Sequence, residues 1–412
     1  MSSKKTKRQQ TIAASRKPEE QRGRRSIQKA KRIGLEPKQV RRFLDEELDF
    51  DLHVKTVLSL AMATTGVLYS MALAIHMIGR AMAWAMSKDA KHTVKQVDRL
   101  LSNAHVQPWD MADAWVRYVV GQRREVLVAL DWTVFQHDKQ STLALHLVDR
   151  HGRTMPLLWK TVAHGQLRGH QTELEDQMVE KLDSLLDEQV TVTLLADRGF
   201  ASAERLEMLE MLGWHYVIRF TGSTIIIDQR GRRARATEWL SASGRARKLS
   251  GVRWSNQQVP VGCVVVTKPA GQREPWCLVS SHDELTASQL VKLYARRFRI
   301  EETFRDIKDI HFGLGLSATH ISQPLRRDRL LLIAAFAQVL LTMLGEAGER
   351  VGLDRYLKTN TSSKRQLSLL HQGQFWFLAL PRMPDDRLEL LMGAFADILQ
   401  QHQITRELLG FS

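Results

Sequence analysis

The sequence has little of what marks several large protein classes. It holds two cysteines, Cys263 and Cys277, and neither has a second Cys or a His at zinc-finger spacing. That excludes a disulfide scaffold and fits a reducing cytoplasm. No Gly-rich dinucleotide fingerprint and no P-loop follows any predicted strand, which argues against folds built on those loops. The start of the chain lacks the short apolar core of a secretory signal, and no internal repeat is visible. Uninterrupted apolar runs are scarce too. Thr56 to Ile75 is twenty residues without a charge, a length that permits a membrane span. It is rich in Thr, Ser and Ala, contains Gly66, and has no continuous Leu, Ile or Phe run. The expectation is buried helices of a small bundle and no membrane segment.

Acidic charge is the other deficit. Sixty Lys and Arg against 45 Asp and Glu leave a net charge of +15 and a pI near 10.0. Such a surface attracts polyanions, of which nucleic acid is the commonest. Most of the excess is at the start: Met1 to Arg42 carries fifteen basic residues and three Glu. So few apolar residues cannot bury enough surface to fold alone. Residues 1–45 therefore read as a basic disordered arm, suited to DNA, with a solubilising tail as the alternative. A chain of 412 residues is also too long for one core and predicts two or three domains.

What is present falls into blocks. Residues 46–122 read as helical and as a DNA-binding domain. Within them Val94, Val97 and Leu101 recur on one helical face, while Lys91, Lys95 and Arg99 line another. That suits a helix laid on DNA, or simply a solvated face. From Glu125 the texture changes. Strands are predicted up to Asp131, over Ser141–Val148 and over Met155–Val162, with a hairpin turn at 149–153. A helix over Gln171–Leu186 follows, then a strand Thr191–Ala196 ending at Asp197, a helix Glu204–Leu212 and a strand His215–Phe220. Residues 221–275 read as a mostly β insertion with a basic surface. Trp276–Ser280 returns to strand, and a long helix begins at Thr286. The fold class is α/β, with a catalytic domain over 123–345 and a C-terminal helical region over 346–412.

Two carboxylates stand out. Asp131 and Asp197 each end an apolar strand, where a carboxylate needs water, a metal or a donor. If the strands are parallel neighbours, both acids emerge at one sheet edge; capping of turns is the plainer reading. The helix after Thr286 adds a third. At about 100° per residue, Tyr294, Arg297, Glu301 and Lys308 fall within about 60° of arc. Leu293, Ile300, Phe304 and Ile307 form a core stripe beside them, and Glu302 points away. Three carboxylates can hold two divalent ions for phosphodiester chemistry, and Arg297 and Lys308 can bind phosphate. A solvated helix with an Arg297–Glu301 ion pair is the alternative.

The spacing Tyr294-x2-Arg297-x3-Glu301-x6-Lys308 resembles the YREK signature of bacterial DDE transposases of insertion-sequence family four. Leu130-Asp131-Trp132 and Ala196-Asp197-Arg198-Gly199-Phe200 resemble the contexts of that family's two Asp residues. The resemblance runs from about residue 55 to about residue 340. It implies an RNase H-like core with a β insertion, and Asp131, Asp197 and Glu301 as ligands of two Mg2+ or Mn2+ ions. It implies cut-and-paste movement through a DNA hairpin, on double-stranded terminal repeats, by a dimer on paired ends. It places Tyr294, Arg297 and Lys308 on phosphates and Trp276 against a flipped base, with Arg198 as a further phosphate contact. The rivals are a metal nuclease without strand transfer and an inactive DNA-binding protein.

Overall fold

A computed structural model describes residues 35–48, 51–149, 152–311, 313–359, 361–362 and 364–408. Nearly all of the expected basic arm lies outside them. The chain forms two compact units, one from residues 1–100 with 336–412, the other from residues 101–335.

The first unit is helical. Its elements are α1 (Pro37–Glu47), α2 (Val54–Ser70), α3 (Ile75–Met86), α4 (Ala90–Leu101), the C-terminal part of α10 (Pro324–Arg350), α11 (Leu369–Ala379) and α12 (Asp385–Leu408). The charge-free stretch forms α2, buried from Leu60 to Leu68, and the turn that follows it. α2 and α3 are bent by 97° at a short break. Small residues let these helices approach closely. A Cβ on Gly66 would meet Ile78 at 2.7 Å, and one on Gly79 would meet the Val94 backbone at 2.6 Å. On α4, Val97 and Leu101 are buried and Val94 is half-buried, while Lys91, Lys95 and Arg99 are exposed. α10 is long and apolar enough to cross a membrane, but 83% of its most apolar window is buried in the fold.

The second unit is built on one ten-stranded sheet. The strands are β1 (Glu125–Phe135), β2 (Gln140–Val148), β3 (Thr154–Ala163), β4 (Thr191–Ala196), β5 (His215–Phe220), β6 (Ile225–Ile227), β7 (Arg233–Arg235), β8 (Arg247–Trp254), β9 (Val259–Thr267) and β10 (Trp276–Ser280). Their order is β3-β2-β1-β4-β5-β10-β9-β8-β6-β7. β1 to β3 form the predicted antiparallel meander, and β1, β4 and β5 run parallel. The predicted β insertion is there, but it is no separate body. β9 pairs with β10, so the insertion lengthens the same sheet.

α5 (Ala112–Val120), α6 (Gln171–Asp183), α7 (Ala203–Met211), α8 (Ala287–Ala295), α9 (Phe298–Lys308) and the N-terminal part of α10 also belong to the second unit. α8 and α9 bring Leu290, Tyr294 and Ile300 onto Ala129, Leu195, Val217, Cys263, Val265 and Leu278. These sheet residues share one face because side chains alternate along each strand. The single long helix expected after Thr286 is two. Arg296, Arg297, Arg299 and Ile300 each donate their amide to the carbonyl three residues back, which tightens the chain between α8 and α9.

Candidate active site

The acids are placed by strand register. β1 and β4 pair in parallel from Glu125–Thr191 to Leu130–Ala196. The next residues are Asp131 and Asp197, so the two carboxylates leave adjacent strands at the same level. Two residues earlier, Ala129 and Leu195 lie in the core under α8 and α9. Alternation therefore aims both acids toward that same face. One detail differs from expectation. Asp131 does not end β1; it pairs with Ala144 on β2, and β1 runs on to Phe135. β1 outlasts β4, so the acid is reached where one neighbour stops and the other continues.

The α8–α9 segment closes on these acids. Tyr294 is fully buried, and its hydroxyl donates to Asp197 Oδ1 at 3.2 Å. Arg297 donates from one terminal nitrogen to Asp131 Oδ2 at 3.1 Å and from the other to Glu301 Oε1 at 2.6 Å. Its guanidinium lies over the Phe298 ring, 4.8 Å from the centroid. Lys308 donates to Thr133 Oγ1 at 3.2 Å and to the Val134 carbonyl at 2.9 Å. Burial and the nearby Arg327 charge lower its pKa. A cleft of about 440 Å3 is lined by Asp131, Thr133, Glu301 and Lys308. Four residues predicted to share a stripe thus share one edge of the sheet with both Asp residues.

Electrostatics set Asp131 apart from an ordinary surface carboxylate. The Asp131 carboxyl is pushed up to about 6, first by desolvation and then by repulsion from Glu301 and Asp197. Arg297 and the Trp132 amide oppose that rise. The two neighbouring carboxylates add to the rise, and three oxygen donors in one neighbourhood are of the kind a divalent cation takes. Among the described residues, however, no three His, Cys, Asp or Glu side chains are close enough to hold an ion as they stand. The reason is visible: Arg297 lies between Asp131 and Glu301 as a cation of the protein's own. The Glu301 side chain is 46% exposed, free to turn once that partner leaves. The donor set fits a divalent ion, with a guanidinium as its stand-in.

Two expected DNA contacts fare differently. Arg198 is half exposed, 3.4 Å from Glu274, and borders a cavity of about 330 Å3 with Phe220, Trp254 and Asn256. Trp276 is packed inside the fold. It is 5% exposed, edge-on to Tyr294 at 5.2 Å and tilted on Phe298 at 5.7 Å. A platform for a flipped base needs an open ring face, and these neighbours cover it. β10 lies mid-sheet under α8, so its Trp seats Tyr294 instead. Arg219 escaped the sequence reading; it stands 3.8 Å from Asp197 Oδ1 and 3.5 Å from Glu274. Its signal was its parity with Val217, on the strand next to β4.

A parallel-centred sheet carrying acids on adjacent strands, with a third acid on a packed helix, is an α/β arrangement compatible with metal-dependent phosphodiester chemistry. The particular family follows from comparison with known proteins. The family described as "Transposase DDE domain" matches residues 122–340, more than half of the chain, and the chain belongs to it. Membership makes DNA the substrate class. No match was found among the curated proteins.

Proposed function

We propose that this chain is a transposase of the YREK type, which excises an insertion sequence and joins its 3′-OH ends to target DNA. One observation carries the reading. Tyr294, Arg297 and Glu301 come together with Asp197 and Asp131, although about a hundred residues or more separate the two sets. Such spacing has no structural need to converge on charged groups, whereas phosphoryl transfer requires it.

Asp131, Asp197 and Glu301 would hold divalent ions, Mg2+ or Mn2+, in a pair. When bound, the ions activate the attacking oxygen and stabilise the leaving one. The chain's own groups do the rest. Tyr294 orients Asp197 by its hydroxyl. Arg297 keeps Asp131 and Glu301 neutralised until substrate arrives. Lys308, at the cleft, offers its ammonium to a phosphate oxygen. Arg198 and Arg219 extend positive charge beside Asp197. The first unit binds the duplex through the exposed Lys91, Lys95 and Arg99 of α4, and two chains pair two ends. The hairpin step rests on the resemblance of motif spacing; Trp276 as packed lends it no support.

The deciding experiment incubates the full chain with Mg2+ and a labelled duplex carrying the terminal inverted repeat that flanks its gene. Hairpin ends and strand-transfer products are expected. Cleavage without joining would replace the reading with a nuclease, and binding without any metal-dependent product would replace it with an inactive DNA-binding protein.

A further inference from the structure

The side of the sheet away from the acids holds a second charged cluster. Arg205 on α7 is 2% exposed and Glu175 on α6 is 2% exposed. The guanidinium donates to Glu175 Oε2 at 2.8 Å, twice to Asp176 Oδ1 at 2.9 and 2.7 Å, to the Phe200 carbonyl at 3.2 Å and to the Thr172 carbonyl at 3.4 Å. All five donors of the fork have a use. Glu175 turns its other oxygen to the Trp132 indole N–H at 2.6 Å and to Gln171 at 2.9 Å.

The ends of these contacts are what matter. Trp132 follows Asp131, and its backbone N–H donates to Asp131 Oδ1 at 2.9 Å. Phe200 closes the turn after Asp197, its amide donating to the Asp197 carbonyl at 3.0 Å. One guanidinium therefore reaches both acid-bearing segments, mid-strand at Asp131 and past the strand end at Asp197. It reaches the first through Glu175 and the Trp132 indole, and the second through the Phe200 carbonyl. Because side chains alternate along a strand, the Trp132 indole and the Asp131 carboxylate leave β1 on opposite faces, although Trp132 itself borders the cleft. The cluster grips the backbone from behind and leaves the front free.

Stability is a poor explanation for such a cluster. Two buried ions lose hydration that their attraction barely repays, and apolar replacements of the same shape often do as well. A rigid, planar fork does something an apolar side chain cannot: it fixes several partners at set angles. We propose that Glu175 and Arg205 are positioning residues, which set the distance and orientation of Asp131 and Asp197 for the ions they receive. This rests on the transposase reading of the front of the sheet.

The test uses the full chain and three variants. Trp132→Phe removes the indole N–H and keeps a smaller aromatic ring, its lost volume being matched by the cavity control below; Glu175→Gln keeps the shape and removes the charge. Val252→Ala, in a buried position of β8, serves as a control that lowers Tm without touching the cluster. Mn2+ affinity is measured by electron paramagnetic resonance without DNA. Single-turnover cleavage and duplex Kd are measured at a temperature well below each Tm. Trp132→Phe and Glu175→Gln should each weaken Mn2+ binding and slow cleavage about tenfold, as partners behind metal ligands do. Duplex Kd should stay unchanged, and the control should keep wild-type values for all three. Wild-type Mn2+ affinity and rate in both variants would overturn the proposal, as would equal losses in the control. If the wild type itself fails to cleave, the transposase reading falls, while the Mn2+ titration still decides the positioning role.

Discussion

The two sides of the β1–β4 pair carry the same kinds of charge to opposite ends. Behind the sheet, Arg205, Glu175 and Asp176 are interlocked, and the Arg205 and Glu175 side chains are 1% and 2% exposed. In front, Arg297 is as deeply buried, yet its Nε has no partner, and Glu301 is nearly half exposed. The rear cluster is complete and resists change. The front one is satisfied only in part, and one of its carboxylates is held well above its ordinary pKa. A cluster that must later accept other ligands has to stay exchangeable, and incompleteness is how that shows in a structure.

The strongest way to break this comparison is Glu301→Ala. It should lower metal-dependent cleavage roughly 10³-fold or more, since losing an ion ligand forfeits several kcal/mol of transition-state stabilisation. Duplex binding, measured by fluorescence anisotropy, should persist; wild-type rates would remove Glu301 from the site. Next comes Trp276→Ala, which should cost about 3–5 kcal/mol of stability as a large core truncation. Denaturant unfolding checks it. An unchanged midpoint with selective loss of hairpin product would restore Trp276 as a base-stacking residue.

Arg297→Gln should act in two directions. Without DNA it should tighten Mn2+ binding about tenfold, because the competing internal cation is gone. Cleavage should nevertheless fall, since the phosphate-binding charge is lost as well. Weaker Mn2+ binding in this variant would mean that Arg297 supports the ion site and does not compete for it. The smallest effect is that of pH. A carboxyl raised to about 6 makes its folded form most stable when protonated. The metal-free chain should therefore lose stability as pH rises from 5 to 7, by about 2 °C in Tm. Mn2+ affinity should climb over the same range as Asp131 ionises. An Asp131→Asn variant should flatten both trends, and persistence of either would move the titration to another group.

Much of this was legible in the residues. The meander, the strands that carry Asp131 and Asp197, and the helices at α6 and α7 follow from period and length alone, because each buries a face of regular spacing. The motif from Tyr294 to Lys308 was legible as a stripe. The break between α8 and α9 was not, since Arg296 and Arg297 are good helix formers and only packing onto β1 and β4 tightens the chain there. The packing of Trp276 was not legible for a similar reason. A Trp on a strand gives no sign of which helix will cover it. Arg219 and Arg205 looked like ordinary basic residues in a sequence full of them.

By itself the sequence determined the class of fold, the polyanionic partner, the three candidate acids and the family. Those depend on local periodicity, charge and fixed spacing, which are properties of the chain. The tertiary structure alone decided that Asp131 and Asp197 sit one residue past the same register pair. It also decided that Arg297 bonds both Asp131 and Glu301, and that Arg205 bonds Glu175 and the Phe200 carbonyl behind the two acids. These facts depend on which strands pair and which helix packs on which face. Contacts between residues far apart in the chain leave no periodic trace along it.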